Sequence, residues 1–178
     1  MVTTMARPDK AHDVLARWMA IPAQLRRVVR GLPSVRLDAR AGPDQMSIRE
    51  TVHHLVEANL IASNIVIAAL ANSGCTYDWT WVNPGGSWMS RLGYSRAPIG
   101  PALSMLESLT RHFAALLAVV DDGLRRTVEL YDSPGAPHYT KTVGQLLLDE
   151  VNHAREHLGT LPQRGVRRSV RRGGRTRG

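Results

Sequence analysis

Two capping boxes restrict this chain to helical architectures. Ser47-Ile48-Arg49-Glu50 and Thr142-Val143-Gly144-Gln145 each place a hydroxyl residue three positions before Glu or Gln. In that arrangement the hydroxyl accepts from the backbone N–H of the third helical residue, whose side chain returns to the N–H of the cap. Each box therefore marks where a helix begins. The first opens a helix over Ser47 to Asn72, closed by Ser73-Gly74. The second opens one over Thr142 to Leu161, stopped by Pro162. Two further stretches show helical spacing of apolar residues. Ala11 to Arg30 carries Val14, Leu15, Trp18 and Leu25, with Pro22 predicting a kink or a restart. Pro101 to Val120 has proline in its first turn and ends at Asp121-Asp122-Gly123. Four long helical patterns in 178 residues predict one all-α domain, a four-helix bundle.

The remaining segments are less regular. Residues 75–98 hold Tyr77, Trp79, Trp81, Trp88 and Tyr94 around Asn83-Pro84-Gly85-Gly86, which predicts a long aromatic loop between the second and third helices. A short helical turn is expected near Trp88 to Leu92, and a short extended piece at Thr127 to Leu130. The domain is expected over residues 10–162, preceded by a loose arm at 1–9. A disordered Arg/Gly-rich tail is expected at 163–178.

Charge and cysteine content narrow the function classes. The net charge is +8, but residues 164–178 contain seven arginines and no acid, so the body carries about +1. A near-neutral body does not resemble a nucleic-acid-binding domain. The tail can touch phosphates weakly and non-specifically, and it has no aromatic residue to stack bases. Cys75 is the single cysteine, so neither an internal disulfide nor a cysteine-rich zinc site can form. Residues Met1 to Lys10 lack an apolar signal core, and Leu60 to Leu70 is too short an apolar run to span a membrane. The expectation is a soluble cytoplasmic protein.

The histidines carry the chemistry. His153 and His157 lie four apart on the fourth helix, one turn apart on one face, a spacing that can hold one divalent ion. The same spacing also suits two exposed, protonated histidines near a helix C-terminus. A third ligand must come from elsewhere, and the second helix offers His53 and His54. These point about 100° apart, so only one can join the site. The apolar pattern leaves that choice open. Asp149, one turn before His153, is a candidate to support a ligand from behind. Glu50 is accounted for by its capping box, and Glu57, Glu150 and Glu156 read as solvated helix charges. His12, His112 and His138 have no partner at ligand spacing.

Two stretches resemble the DinB/YfiT-like superfamily. Met46-Ser47-Ile48-Arg49-Glu50-Thr51-Val52-His53-His54-Leu55 is similar to that family's W-S-I-R-E-x-x-x-H-L helix start. Thr142-Val143-Gly144-Gln145-Leu146-Leu147, followed by His153-Ala154-Arg155-Glu156-His157-Leu158, is similar to its closing helix with H-x-x-x-H. The resemblance spans roughly residues 10–161 and implies a four-helix bundle with a metal at one end of the core. It implies the ligands His54, His153 and His157, because His54 directly precedes Leu55 as the family's histidine does. Met46 stands where the family has Trp, a packing change expected to leave the metal untouched.

Three imidazoles leave open positions for water or substrate, the layout of a catalytic site. Imidazole suits zinc, nickel or iron alike. The resemblance implies a metal-dependent enzyme acting on a small-molecule substrate. One form is an S-transferase or isomerase using a low-molecular-weight thiol, with Trp79, Trp81 and Trp88 walling the pocket. A metal-dependent hydrolase is an alternative, for which no general base is apparent. A non-catalytic helical binding module with inert or absent metal is the third reading. A homodimer is compatible with all three.

Overall fold

The computed structural model describes residues 8–81, 90–131 and 135–161. The expected tail, Trp88 and most of the expected arm lie outside them. The helices are α1 (Pro8–Met19), α2 (Ile21–Val29), α3 (Ser34–Leu37), α4 (Ile48–Ala71), α5 (Ile99–Val119) and α6 (Val143–Thr160). The strands are β1 (Cys75–Asp78), β2 (Thr127–Tyr131) and β3 (Tyr139–Thr142). Helices α1 and α2 together form one member of a four-helix bundle, with α4, α5 and α6 as the others. The helix pattern breaks at Ala20, and Pro22 sits in the first turn of α2, where its missing N–H removes no helix bond. The chain therefore restarts its helix at Ile21.

Both capping boxes form. The Glu50 N–H donates to Ser47 Oγ at 3.2 Å, and the Ser47 N–H donates to Glu50 Oε2 at 2.8 Å. At α6 the Gln145 N–H donates to Thr142 Oγ1 at 3.1 Å, and the Thr142 N–H donates to Gln145 Oε1 at 2.8 Å. These caps fix the entry points of the two helices that carry the histidines. A buried Arg49 braces the first of them: its guanidinium donates to Asp38 at 2.7 Å, Ser34 Oγ at 2.9 Å and the Ala97 carbonyl at 3.3 Å.

Helix α4 runs through the middle of the fold, packed against α5 and α6, while α1 packs on α6 and α5. Its buried residues include Val52, Leu55, Val56, Ile65, Val66 and Ala69. Both α4 and α5 are long and apolar enough, by length and composition, to cross a membrane; half of the most apolar stretch of α4 is buried inside the bundle. The core also encloses a polar pair. Trp18 Nε1 donates to Asn59 Oδ1 at 2.7 Å, and Asn59 Nδ2 donates back to the Leu55 carbonyl at 2.8 Å. Asn59 is fully buried, and this pairing makes its burial tolerable.

The fold is not purely helical: a three-stranded sheet in the order β1-β2-β3 packs on α4 and α6. Gly74, at φ +85°, closes α4 in a conformation that glycine adopts without penalty, and its N–H donates to the Thr127 carbonyl at 2.8 Å. This directs the chain into β1, which runs parallel to β2 with Cys75 opposite Val128 and Tyr77 opposite Leu130. Strand β3 is antiparallel to β2, with Leu130 opposite Tyr139. Val128 and Leu130 are buried, and Glu129 between them faces outward. Part of the expected aromatic loop is thus a strand, and the expected extended piece at 127–130 is the sheet's central one.

Asn59→Ala leaves the Trp18 indole N–H buried without a partner. We expect it to lower unfolding free energy by about 1–3 kcal/mol, read as a fall in the urea midpoint followed by tryptophan fluorescence. An unchanged midpoint would show that the pair adds nothing to stability.

Candidate metal centre

Two helical stripes face each other across the bundle. On α4, Thr51, His54, Ala58, Ile61 and Ile65 follow one another at spacings of four and three. On α6, Leu146, Glu150, His153, His157 and Thr160 do the same. Between the stripes lies a cavity of about 760 Å³. Its far wall is the sheet, through Leu130, Tyr139 and Lys141, with Trp79 just beyond β1. Alanines at 58 and 62 keep side-chain volume out of the centre. Such a space matches the roughly 300–1,000 Å³ of small-molecule sites.

His54, His153 and His157 meet in the wall of this cavity, each offering one nitrogen, with all three nitrogens within 4.8 Å of one another. Nε2 of His54 and Nε2 of His153 are 3.0 Å apart. The rings stand edge to face, with centroids 4.7–4.9 Å apart. Burial, then the neighbouring His153 and His157, lower the His54 pKa to about 4. The His157 pKa is also lowered, again by burial first and by His153 second. Both rings are therefore held in the neutral form that ligates metals. Two nitrogens on one tetrahedral zinc-like ion sit about 3.4 Å apart. The donor set and its spacing fit a single divalent ion. Without one, the two Nε2 atoms of His54 and His153 must share a proton.

The other histidines do not join. His53 is buried on the neighbouring face of α4, where it stacks on Tyr94 with centroids 5.3 Å apart and Nε2 lies 3.2 Å from the Ala97 carbonyl oxygen. Of the two adjacent histidines, it is His54 that clusters with His153 and His157. His112 is exposed on α5 beside Phe113, and His138 lies near Glu129 at the outer face of the sheet. The side chain of His12 lies outside the described residues.

The acidic residues divide differently from the sequence expectation. Asp149 does not support His153; it pairs with Lys141 of β3. The residue beside His153 is Glu150, whose Oε2 is 3.8 Å from His153 Nδ1. Its side chain is only 14% exposed, so it is not the solvated charge that its place on the helix suggests. Glu57 also lines the cavity. Burial raises its pKa above the ordinary carboxyl value, against the opposing pull of His53. Its spacing of three before His153 is the signal that could have marked position 150, but the sequence reading favoured Asp149, four before His153, and took Glu150 as a solvated charge. Of the expected wall residues, Trp79 lines the cavity while Trp81 is 56% exposed. Met46 borders the cavity as well. Cys75 does not border it.

Comparison with solved structures finds a close likeness of fold. A protein described as "YfiT from Bacillus subtilis is a probable metal-dependent hydrolase with an unusual four-helix bundle topology" superposes with a TM-score of 0.72. The match covers 90% of this chain and 89% of that one at 18% sequence identity. No curated protein sequence matches the chain. The model of the DinB superfamily matches residues 17–161, which spans the bundle from the last turn of α1 onward, the sheet and all three clustered histidines. The chain is a member of the DinB superfamily.

Proposed function

We propose that this protein is a metal-dependent enzyme that holds one divalent ion on His54, His153 and His157 and acts on a small molecule in the adjoining cavity. The convergence of three imidazoles, two of them held neutral, on the wall of a 760 Å³ cavity carries this reading. Zinc, nickel and iron all suit the donor set. An ion bound there supplies Lewis acidity, polarising a carbonyl and easing deprotonation of a water or thiol. The apolar stretch of Ile61, Ile65 and Leu130 accommodates the body of the substrate and keeps bulk water from it. Half-buried polar side chains such as Lys141 and Tyr139 fix its orientation. We place the enzyme in the cytoplasm.

Hydrolysis is the first chemistry we assign. The carboxyls of Glu57 and Glu150 line the cavity, so a group able to take a proton is present where the sequence alone named none. Burial tunes Glu57 upward, toward a poise suited to proton transfer. The solved protein of similar fold is itself described as a probable metal-dependent hydrolase. Thiol-dependent S-transfer or isomerisation is the second. It is favoured by the volume of the cavity, which has room for a low-molecular-weight thiol beside an electrophile. Cys75 does not border the cavity, so the thiol would be a cofactor.

Untagged protein purified and analysed by metal mass spectrometry should carry about one divalent ion per chain, the stoichiometry of a three-histidine site. His54→Ala and the double variant His153→Ala, His157→Ala should lose it, and His53→Ala should keep it. A wild-type protein that takes up neither zinc, nickel nor iron on reconstitution would leave a helical binding module instead.

The two chemistries separate on thiol dependence. The loaded protein should cleave activated esters or amides without added thiol, and Glu57→Gln should lower kcat by about 100-fold, as for loss of a general base. Turnover of electrophiles only when glutathione, mycothiol or bacillithiol is added would establish the transferase reading in its place.

A further inference from the structure

Among the buried polar atoms that the metal reading leaves unexplained is a carboxylate oxygen beside the histidines. Glu150 Oε2 is shielded from solvent and has no hydrogen-bond partner among the described residues. A buried carboxylate oxygen without a donor is costly and calls for a reason. The nearest candidate donor is His153, whose Nδ1 lies 3.8 Å away, one helical turn further along α6.

The two nitrogens of His153 face different neighbours. Nε2 is turned toward Nε2 of His54 at 3.0 Å, and Nδ1 toward Glu150. A neutral imidazole has one lone pair and one N–H. If Nε2 gives its lone pair to the ion, the hydrogen must sit on Nδ1, and it then points at Glu150. At 3.8 Å the two atoms stand just beyond hydrogen-bond distance, a gap that must close when His153 ligates. A carboxylate in that position fixes the tautomer and orientation of a ligating histidine and strengthens it as a donor.

We infer that Glu150 is a positioning residue, the carboxylate that receives the Nδ1–H of His153 and holds its Nε2 on the metal. Asp149 is committed to Lys141 and cannot take this part. The inference rests on the metal reading and deepens it. It also accounts for the orphaned oxygen, which gains its partner when the ring is set for ligation.

Zinc affinity tests it, measured by competition with a chromophoric chelator for wild type, Glu150→Ala and Glu150→Gln. Glu150→Ala should bind zinc about 10–100-fold more weakly. Glu150→Gln, which keeps an acceptor oxygen, should fall between it and wild type. Thermal unfolding of the metal-free Glu150→Ala protein should be no lower than wild type, since no bond holding the fold is removed. The cobalt(II) visible spectrum should keep its coordination number in both variants. Wild-type zinc affinity in Glu150→Ala would overturn the inference alone and leave the metal site standing. So would a cobalt spectrum that loses a ligand in Glu150→Gln, which would make Glu150 a ligand itself. Failure of the wild type to bind zinc or cobalt would overturn both together.

Discussion

The facing of α4 and α6 is the constraint on which the rest of this molecule depends. His54 and His153 are 99 positions apart in sequence, yet their ring nitrogens approach to 3.0 Å. Such closeness requires the rotation of each helix about its axis to be correct. A shift of one residue would turn a histidine through about 100°. The capping boxes set where each helix starts, and the buried apolar faces on either side of each stripe set its rotation. His53 shows how sharp this setting is: one residue away, it faces Tyr94 and takes no part in the cluster.

The site places polar rings in a partly buried place, and the surroundings explain how this is sustained. Of the three imidazoles, those of His54 and His157 are held neutral, which removes most of the desolvation cost of their burial. They satisfy one another through edge contacts and a shared Nε2 pair. The core nearby also holds Thr51, Ser63 and the internally bonded pair of Trp18 and Asn59. The polar groups of the cavity are thus concentrated around the histidines and the inner face of the sheet, while its middle is lined by alanine, isoleucine and leucine.

Much of this was legible in the sequence because it rests on local rules. Caps, the proline at position 22 and the His153–His157 spacing each act within one or two turns, and the helices they announce are present. The choice of His54 over His53 came from resemblance, since the apolar pattern around both is alike. The sheet was harder to see. Cys75-Thr76-Tyr77-Asp78 has neither the length nor the β-branched alternation that announces a strand. Its partner is 53 positions away, in β2, so no local pattern links them. Glu150 was misread for a similar reason: a carboxylate three residues before a histidine looks solvated until the opposing wall is known. Lys141, which draws Asp149 away, comes from a strand that the pattern did not announce.

The parallel pairing of β1 with β2 bears on how the molecule assembles. All of α5 lies between the two strands in sequence, so this part of the sheet closes only by bringing distant segments together. The bundle is rich in contacts within helices, which form quickly, whereas a long closure pays its entropy before its bonds repay it. The facing of α4 and α6 is a longer closure still, 99 positions against 53, so the histidine cluster and the wall of its cavity both exist only once distant segments have met.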